Sequence, residues 1–254
     1  MEEKCPVCRG TGWNISVRNG IEFADRCQCV QSQRKSDLLQ QARIPKRYAN
    51  CSFDNFKLEN WPDESIQRAK RQVEYFVHAY PAVESGILLM GPPGTGKTHL
   101  AVAAIKSLIE QKEVGCIFYD FRDLLKTLQN SYTKDTDISE LDVLQPVLTV
   151  EVLLLDELGA SKISSWVQDT LAHILNYRYN EKLSTIITSN WMDEEMKDTS
   201  GWLDKQEETL DKRIGYRLRS RLYEMCETVQ IQPACLDYRK ILHAKNKNRV
   251  AHLL

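Results

Sequence analysis

An α/β fold with a parallel sheet between helices, preceded by a small metal-bound hairpin, is the architecture this sequence predicts, and three stretches predict it. Residues 86–98, Gly-Ile-Leu-Leu-Met-Gly-Pro-Pro-Gly-Thr-Gly-Lys-Thr, run from a short apolar segment into a loop that fills the pattern GxxxxGK[ST]. Residues 151–157, Glu-Val-Leu-Leu-Leu-Asp-Glu, read as a buried parallel strand whose carboxyl end carries two acids. Four cysteines stand as Cys5-x-x-Cys8 and Cys27-x-Cys29, two close pairs of the kind that hold a tetrahedral ion.

The composition suits this reading. The chain has 254 residues, 42% hydrophobic and 27% charged, enough for one large domain with a core and a small appendage. The net charge of −1 selects neither for nor against nucleic acid. Charge is uneven, however: residues 1–47 hold nine Lys/Arg against five Asp/Glu, and residues 239–254 hold five Lys/Arg and no acid. No apolar run reaches the roughly 18 residues of a membrane helix, and Met-Glu-Glu-Lys-Cys has no apolar signal segment. A cytoplasmic protein without a membrane partner is expected, with its eight cysteines reduced.

In chain order, Cys5, Cys8, Cys27 and Cys29 are candidate zinc ligands. Between them Asn14–Val17 and Ile21–Asp25 alternate around Arg18-Asn19-Gly20, a hairpin turn signal. So small a segment needs the metal for its stability, and Trp13 is expected to pack on the knuckle, with exposed stacking on bases as the alternative. Cys51, Cys116, Cys226 and Cys235 read as core or incidental residues. Residues 31–43 read as a polar linker helix closed by Ile44-Pro45. Lys46–Phe56, with Tyr48, Phe53 and Phe56, reads as an extended lead-in packed on the core. Asp63–Tyr80 is helical by period, with Pro62 and Asp63 at its start.

The loop Gly91, Pro92, Pro93, Gly94, Thr95, Gly96, Lys97, Thr98 and His99 is the candidate nucleotide-binding segment. Its glycines let backbone N–H groups curl round an anion, and the following helix adds a partial positive charge. Lys97 can reach the β- and γ-phosphates of ATP, and Thr98 can hold Mg²⁺. This defines the P-loop NTPase class. Cys116–Tyr119 reads as a strand, Phe121–Tyr132 as a helix, then a polar stretch to Glu140. Asp156 is placed for the Mg²⁺ shell and Glu157 to orient or deprotonate the attacking water. Trp166–Tyr179 reads as a helix and Thr185–Asn190 as a strand, with Asn190 placed for the γ-phosphate or the water. Leu210–Met225 reads as one helix bearing Arg213, Arg217, Arg219 and Arg221, and Glu227–Gln232 as the last strand. The boundaries expected are a zinc module at 1–30, linker and lead-in at 31–60, the ATPase core at 61–240 and a basic tail at 241–254.

The glycine loop, Asp156-Glu157, Thr188-Ser-Asn190 and Arg217-Leu-Arg-Ser-Arg221-Leu together resemble an AAA+ ATPase. More narrowly they are similar to the DnaC/DnaI/IstB group of bacterial replicative helicase loaders and transposition helper ATPases. Asp156-Glu-Leu-Gly159, Asn176-Tyr-Arg-Tyr-Asn-Glu-Lys182 and Arg213-Ile-Gly … Ser220-Arg-Leu-Tyr-Glu-Met225 carry that likeness, which covers residues 44 to about 240. The resemblance implies ATP, Mg²⁺ and, for the cysteine module, Zn²⁺. It puts the arginine finger on Arg221, with Arg217 or Arg219 as fallback, and implies head-to-tail assembly into a ring or spiral with ATP between protomers. The chain after Asp237-Tyr-Arg239 is short, so a helical lid is expected to be absent and no lid arginine is assigned.

Two functions follow. A helicase loader would bind ATP/Mg²⁺ and single-stranded DNA and deliver the replicative DNA helicase, with the 121–132 helix (Arg122, Lys126, Tyr132) as DNA surface. A transposition helper would use the same ATPase residues on double-stranded DNA. The zinc module favours the loader. Glu157 speaks against a site in which ATP is only structural.

Overall fold

The computed structural model describes residues 5–57, 63–132, 139–160, 164–194, 208–232 and 237–239. Pro62, Cys235 and the basic tail at 241–254 lie outside them. Two strands, β1 (Trp13–Arg18) and β2 (Ile21–Arg26), form an antiparallel hairpin, followed by α1 (Gln28–Gln41) and a 3-10 turn at Lys46–Tyr48. The main body then runs α2 (Glu64–Ala79), β3 (Gly86–Met90), α3 (Lys97–Lys112), β4 (Cys116–Asp120), α4 (Phe121–Ser131), α5 (Glu140–Thr149), β5 (Val152–Asp156), α6 (Ser165–Asn180), β6 (Ser184–Ser189), α7 (Leu210–Ile214), α8 (Tyr216–Met225) and β7 (Cys226–Gln230).

The five strands β3–β7 make one parallel sheet in the order β4-β5-β6-β3-β7. The inner strands β3, β5 and β6 are buried on both faces, which is why β3 and β5 read as nearly continuous apolar runs, while β6 buries Ser and Thr on either side of Ile186 and Ile187. The edge strands β4 and β7 have exposed or half-buried positions. Alternation along each inner strand sends its side chains to two cores. Ile87, Leu89, Val152 and Leu154 pack beneath α1, α2 and α3. Leu88, Met90, Leu153 and Leu155 pack against α4 to α8. The result is a three-layer sandwich.

Sequence signals set most helix starts. Asp63, Asp120 and Ser164 cap α2, α4 and α6 through side-chain oxygens, each worth ~1 kcal/mol. Two departures from the expected elements are instructive. The stretch before Glu151 holds a helix, α5, opened by a capping box between Ser139 and Asp142. The expected single helix 210–225 is broken at Gly215, whose φ of 88° is open to glycine at no steric cost. The expected linker helix is docked: α1 packs on α3 and β4, Ala42 is fully buried, and its carbonyl accepts from the Phe118 N–H at 2.8 Å.

The hairpin has no core of its own. All of β2 is exposed, and Trp13, Ile15 and Val17 face solvent from β1. Trp13 is half exposed. No described helix is long and apolar enough to cross a membrane.

Candidate nucleotide site and cysteine cluster

Three parallel strands end on the same side of the sheet, and their carboxyl ends build the site. The loop 91–96 leaves β3, Asp156 closes β5, and Asn190 follows β6. Gly94 and Gly96 adopt φ of 79° and 85°, and neither has room for a side chain. A Cβ on Gly94 would lie 1.9 Å from the Asp237 carboxylate, and one on Gly96 would lie 2.5 Å from the Phe56 ring. Thr95 Oγ1 donates to the Pro92 carbonyl at 2.9 Å and holds the loop's curl from inside. Gly96 caps α3 without a side-chain hydrogen bond, leaving the first turn of that helix to a ligand.

Lys97 is 5% exposed, and its ammonium donates to the carbonyls of Gly91 and Pro92 at 2.8 and 2.7 Å. Burial pushes it down to about 7, while Asp156 and Glu157 pull it back up. Asp156 is 2% exposed, and its Oδ1 accepts from Thr98 Oγ1 at 2.8 Å and Thr188 Oγ1 at 2.5 Å. Burial raises its pKa and the two threonine hydroxyls oppose the rise. The Glu157 N–H donates to Thr188 Oγ1 at 3.0 Å, and Glu157 itself stands at φ 59°. Thr188 therefore joins both acids. Sequence reasoning placed it in a motif without a role, although a threonine at a strand end beside two acids is a readable signal.

These groups open on a cavity of about 450 Å³, reached by Lys97, Thr98, Glu157, Thr188 and Asn190. That volume suits a small-molecule ligand. The lead-in forms its other wall: His99 bonds the Ser52 carbonyl at 2.9 Å and stacks edge-on with Phe56 at 5.2 Å, and Tyr48 and Cys51 line the space. Tyr238 and Arg239 also line it, the Tyr238 N–H donating to the Gly94 carbonyl at 3.1 Å. No arginine from this end of the chain was expected at the site, so Arg239 is an addition to it. A glycine cradle, a buried lysine, and a hydroxyl and carboxylate side by side are the donor set for a nucleoside triphosphate. Thr98 and Asp156 would hold its Mg²⁺.

The low pKa of Lys97 couples nucleotide binding to pH. Above pH 7 its folded-state ammonium loses its proton, and a bound polyphosphate restores the charge. ATP binding at pH 8.5 is therefore expected to take up a proton that binding at pH 6 does not. Affinity falls as pH rises through 7. Calorimetry in two buffers of different ionisation enthalpy measures the uptake. Lys97→Ala is expected to abolish binding and uptake together.

The arginines separate. Arg219 is 2% exposed and bonded through Nε and Nη2 to Asp193 at 2.6 and 2.7 Å, so in this chain it faces inward. Arg217 is exposed on α8. Arg221 lies at the surface, paired with Glu224 at 3.2 Å and stacked over Tyr179.

At the N-terminus, the sulfurs of Cys5, Cys8, Cys27 and Cys29 all lie within 4.8 Å of one another. The Cys5–Cys27 and Cys8–Cys29 separations are 3.9 and 3.5 Å. Four thiolates on one tetrahedral zinc stand about 3.8 Å apart, given Zn–S near 2.3 Å, so the residues fit. Backbone N–H groups of Gly12 and Gly10 bring Cys8 down to about 6. Cys29, crowded by Cys8 and Cys27, is pushed up to about 12. A cation is what lets all four sulfurs ionise together. Elemental analysis is expected to find one zinc per chain, lost when Cys5 and Cys8 are both changed to Ser. Chelation is expected to abolish amide protection in 13–26 and leave the sheet intact. A metal-free protein with a protected hairpin would contradict this.

The fold and the site define a P-loop, ATP-binding α/β domain. A family model for IstB-like ATP binding proteins matches residues 22–244, and the chain belongs to that family. It is 27% identical over 212 residues to the uncharacterized protein YqaM of Bacillus subtilis (strain 168), covering 80% of this chain and 61% of YqaM. It thus spans somewhat less than two thirds of that relative's length. It is 28% identical over 190 residues to the replicative helicase loader DnaC of Buchnera aphidicola subsp. Acyrthosiphon pisum (strain APS), covering 74% of this chain and 73% of DnaC. Among solved structures it is similar to a crystal structure of the DnaC helicase loader, with TM-score 0.62 and 34% identity, covering 74% of this chain and all of that one.

Proposed function

We propose that this chain is an ATP-dependent helicase loader. It binds ATP and Mg²⁺ at Lys97, Thr98 and Asp156, hydrolyses ATP with Glu157 directing water and Asn190 on the γ-phosphate side, and delivers the replicative helicase onto single-stranded DNA. The single observation that carries the reading is the 34% identity to the DnaC helicase loader across the whole of that chain. The ATP site supports it, because Glu157 has no purpose in a site that only binds. In this reading ATP-bound copies stack head to tail, so that Arg221 of one reaches the phosphates held by the next; exposed Arg217 is the fallback. Arg122, Lys126 and Tyr132 stand exposed on and just after α4, where stacking and phosphate contacts to a single strand are available. The cysteine module holds zinc and grips the helicase.

The test is capture of the purified replicative helicase, with and without ATP, by the full chain and by a Cys5→Ser/Cys8→Ser variant. Deleting residues 1–43 is a poorer control, because it uncovers the core that Leu38, Leu39 and Ala42 cover. ATP-dependent capture by the parent alone supports the loader and gives the module the partner. The family description favours one second reading, a transposition helper acting on duplex DNA. Capture by neither form, with filaments on duplex DNA, supports that reading.

A further inference from the structure

Glu157 occupies a left-handed backbone conformation, φ 59°, that a non-glycine residue holds only when its surroundings over-determine it. Part of that determination comes from β6. The Glu157 N–H is bonded to Thr188 Oγ1, and the Leu158 N–H to the Thr188 carbonyl at 2.8 Å. The Leu158 carbonyl accepts from Ser189 Oγ at 2.9 Å. The rest comes from farther along the chain. The turn from Glu157 to Ala160 is closed by an Ala160 N–H bond to the Glu157 carbonyl at 3.1 Å, and it passes through Gly159. The Gly159 carbonyl accepts from Arg213 Nε at 3.0 Å. The same guanidinium lies 4.2 Å from the centre of the Trp191 ring, and that ring packs so closely on Gly159 that a Cβ there would meet it at 3.0 Å. Glu208 holds Nη1 at 2.8 Å from the outside. Arg213 is only 13% exposed in its side chain, so it is not an outward finger.

We propose that Arg213 is a positioning residue for hydrolysis: it locks the turn that aims Glu157 and ties that turn to the α7–α8 pair on which Arg217 and Arg221 lie. The proposal rests on Glu157 as the water-directing carboxylate. The chain of contact is short. Arg213 is in α7, Gly215 alone separates α7 from α8, and the Gly215 N–H is bonded to the Asp211 carbonyl at 2.7 Å. A neighbouring molecule that grips α8 therefore pulls on the same short segment that fixes the acid. Arg213 itself bonds to Gly159 and Glu208 and stacks on Trp191, none of them in the phosphate loop, so its loss should act on turnover and spare nucleotide binding.

The test uses the full chain with Arg213→Gln, Glu157→Gln and the double variant, each assayed for ATP affinity, steady-state turnover and thermal midpoint. Arg213→Gln is expected to keep ATP affinity within about twofold and to lose about tenfold to a hundredfold in kcat, the scale of a misaimed reactive group. On the Glu157→Gln background the same change is expected to cost nothing further. Arg213→Lys keeps the charge beside Glu208 but loses the Nε donor and the flat face on Trp191. It should show the same loss of kcat at an unchanged melting point, and it keeps the test decisive where the Gln form is poorly soluble. Parental kcat in a folded Arg213 variant overturns the proposal alone. An equal loss on both backgrounds does the same, since Arg213 would then act apart from Glu157. Parental kcat in Glu157→Gln overturns the reading of Glu157 and the proposal with it.

Discussion

Glu157→Gln is expected to bind ATP with parental affinity and to hydrolyse it about 10²–10⁴-fold more slowly, the usual worth of a positioned general base. Besides the ability to take a proton, the substitution removes one of the acids that raise the Lys97 pKa, so affinity is compared at pH 6, where Lys97 is charged in both forms. The backbone at 157 is held through the N–H, which glutamine retains, by a threonine that is itself anchored on Asp156. Glu157 is half-buried and lines the cavity together with Thr188, Asn190 and Lys97. The phosphate cradle does not depend on it. Equilibrium binding of a fluorescent ATP analogue and single-turnover hydrolysis separate the two effects. A rate within about threefold of the parent would remove Glu157 from the chemistry.

Arg178→Met is expected to be the most damaging change away from the site. Arg178 is fully buried on α6, and among the described residues no carboxylate pairs with it. Its guanidinium is instead surrounded by oxygen dipoles. Nε donates to Thr185 Oγ1 at 3.0 Å, Nη1 to the carbonyls of Val147, Leu148 and Val150 at 3.0, 3.3 and 2.8 Å, and Nη2 to those of Ser184 and Glu151 at 2.5 and 3.5 Å. Burial lowers its pKa to about 10, so it stays charged at neutral pH. It thus satisfies the carboxyl end of α5, where a cation is favoured, and ties that end to the starts of β5 and β6. Methionine fills much of the volume but donates nothing. With each orphaned buried acceptor worth about 1–3 kcal/mol and some regained by water, a loss of about 4 kcal/mol or more is expected. Against a total of about 5–15 kcal/mol, urea denaturation should show a large fall in midpoint. Lysine, with three donors on one nitrogen, should recover only part. A midpoint within about 0.5 kcal/mol of the parent would show that these carbonyls find other partners.

The parts of the fold legible in the sequence were those written in local patterns. The buried strands β3 and β5 announced themselves as apolar runs, and the phosphate loop by its spacing. The hairpin was set by Asn19-Gly20 between the cysteine pairs. What escaped needed either a weak signal or long-range contact. The helix α5 carries a proline, Pro146, and follows a polar stretch, which hid the Ser139-x-x-Asp142 box at its start. Gly215 sits inside an arginine-rich helical pattern, and whether such a glycine is tolerated or ends the helix is decided by packing. Arg219 and Arg178 look like surface arginines in sequence. Only the meeting of α8 with Asp193, and of α6 with the end of α5, makes them internal. Arg239 escaped for a similar reason: a short segment after the last strand turns back onto Gly94, and nothing nearby in sequence announces that return.

The order of the sheet has a consequence for how the molecule comes into being. The strand that leads into the phosphate loop is the first of the five to be synthesised, yet it lies between β6 and β7, with Gly86 opposite Cys226, roughly 140 residues later. Until the ribosome has released the chain beyond Gln230, β3 has an open edge, and its backbone N–H and C=O groups on that side are unpaired. Contacts so distant along the chain are slow to form. The nucleotide pocket is therefore among the last features to mature in a nascent chain, and the interval before it matures is when the polypeptide is most exposed to aggregation and most in need of a chaperone.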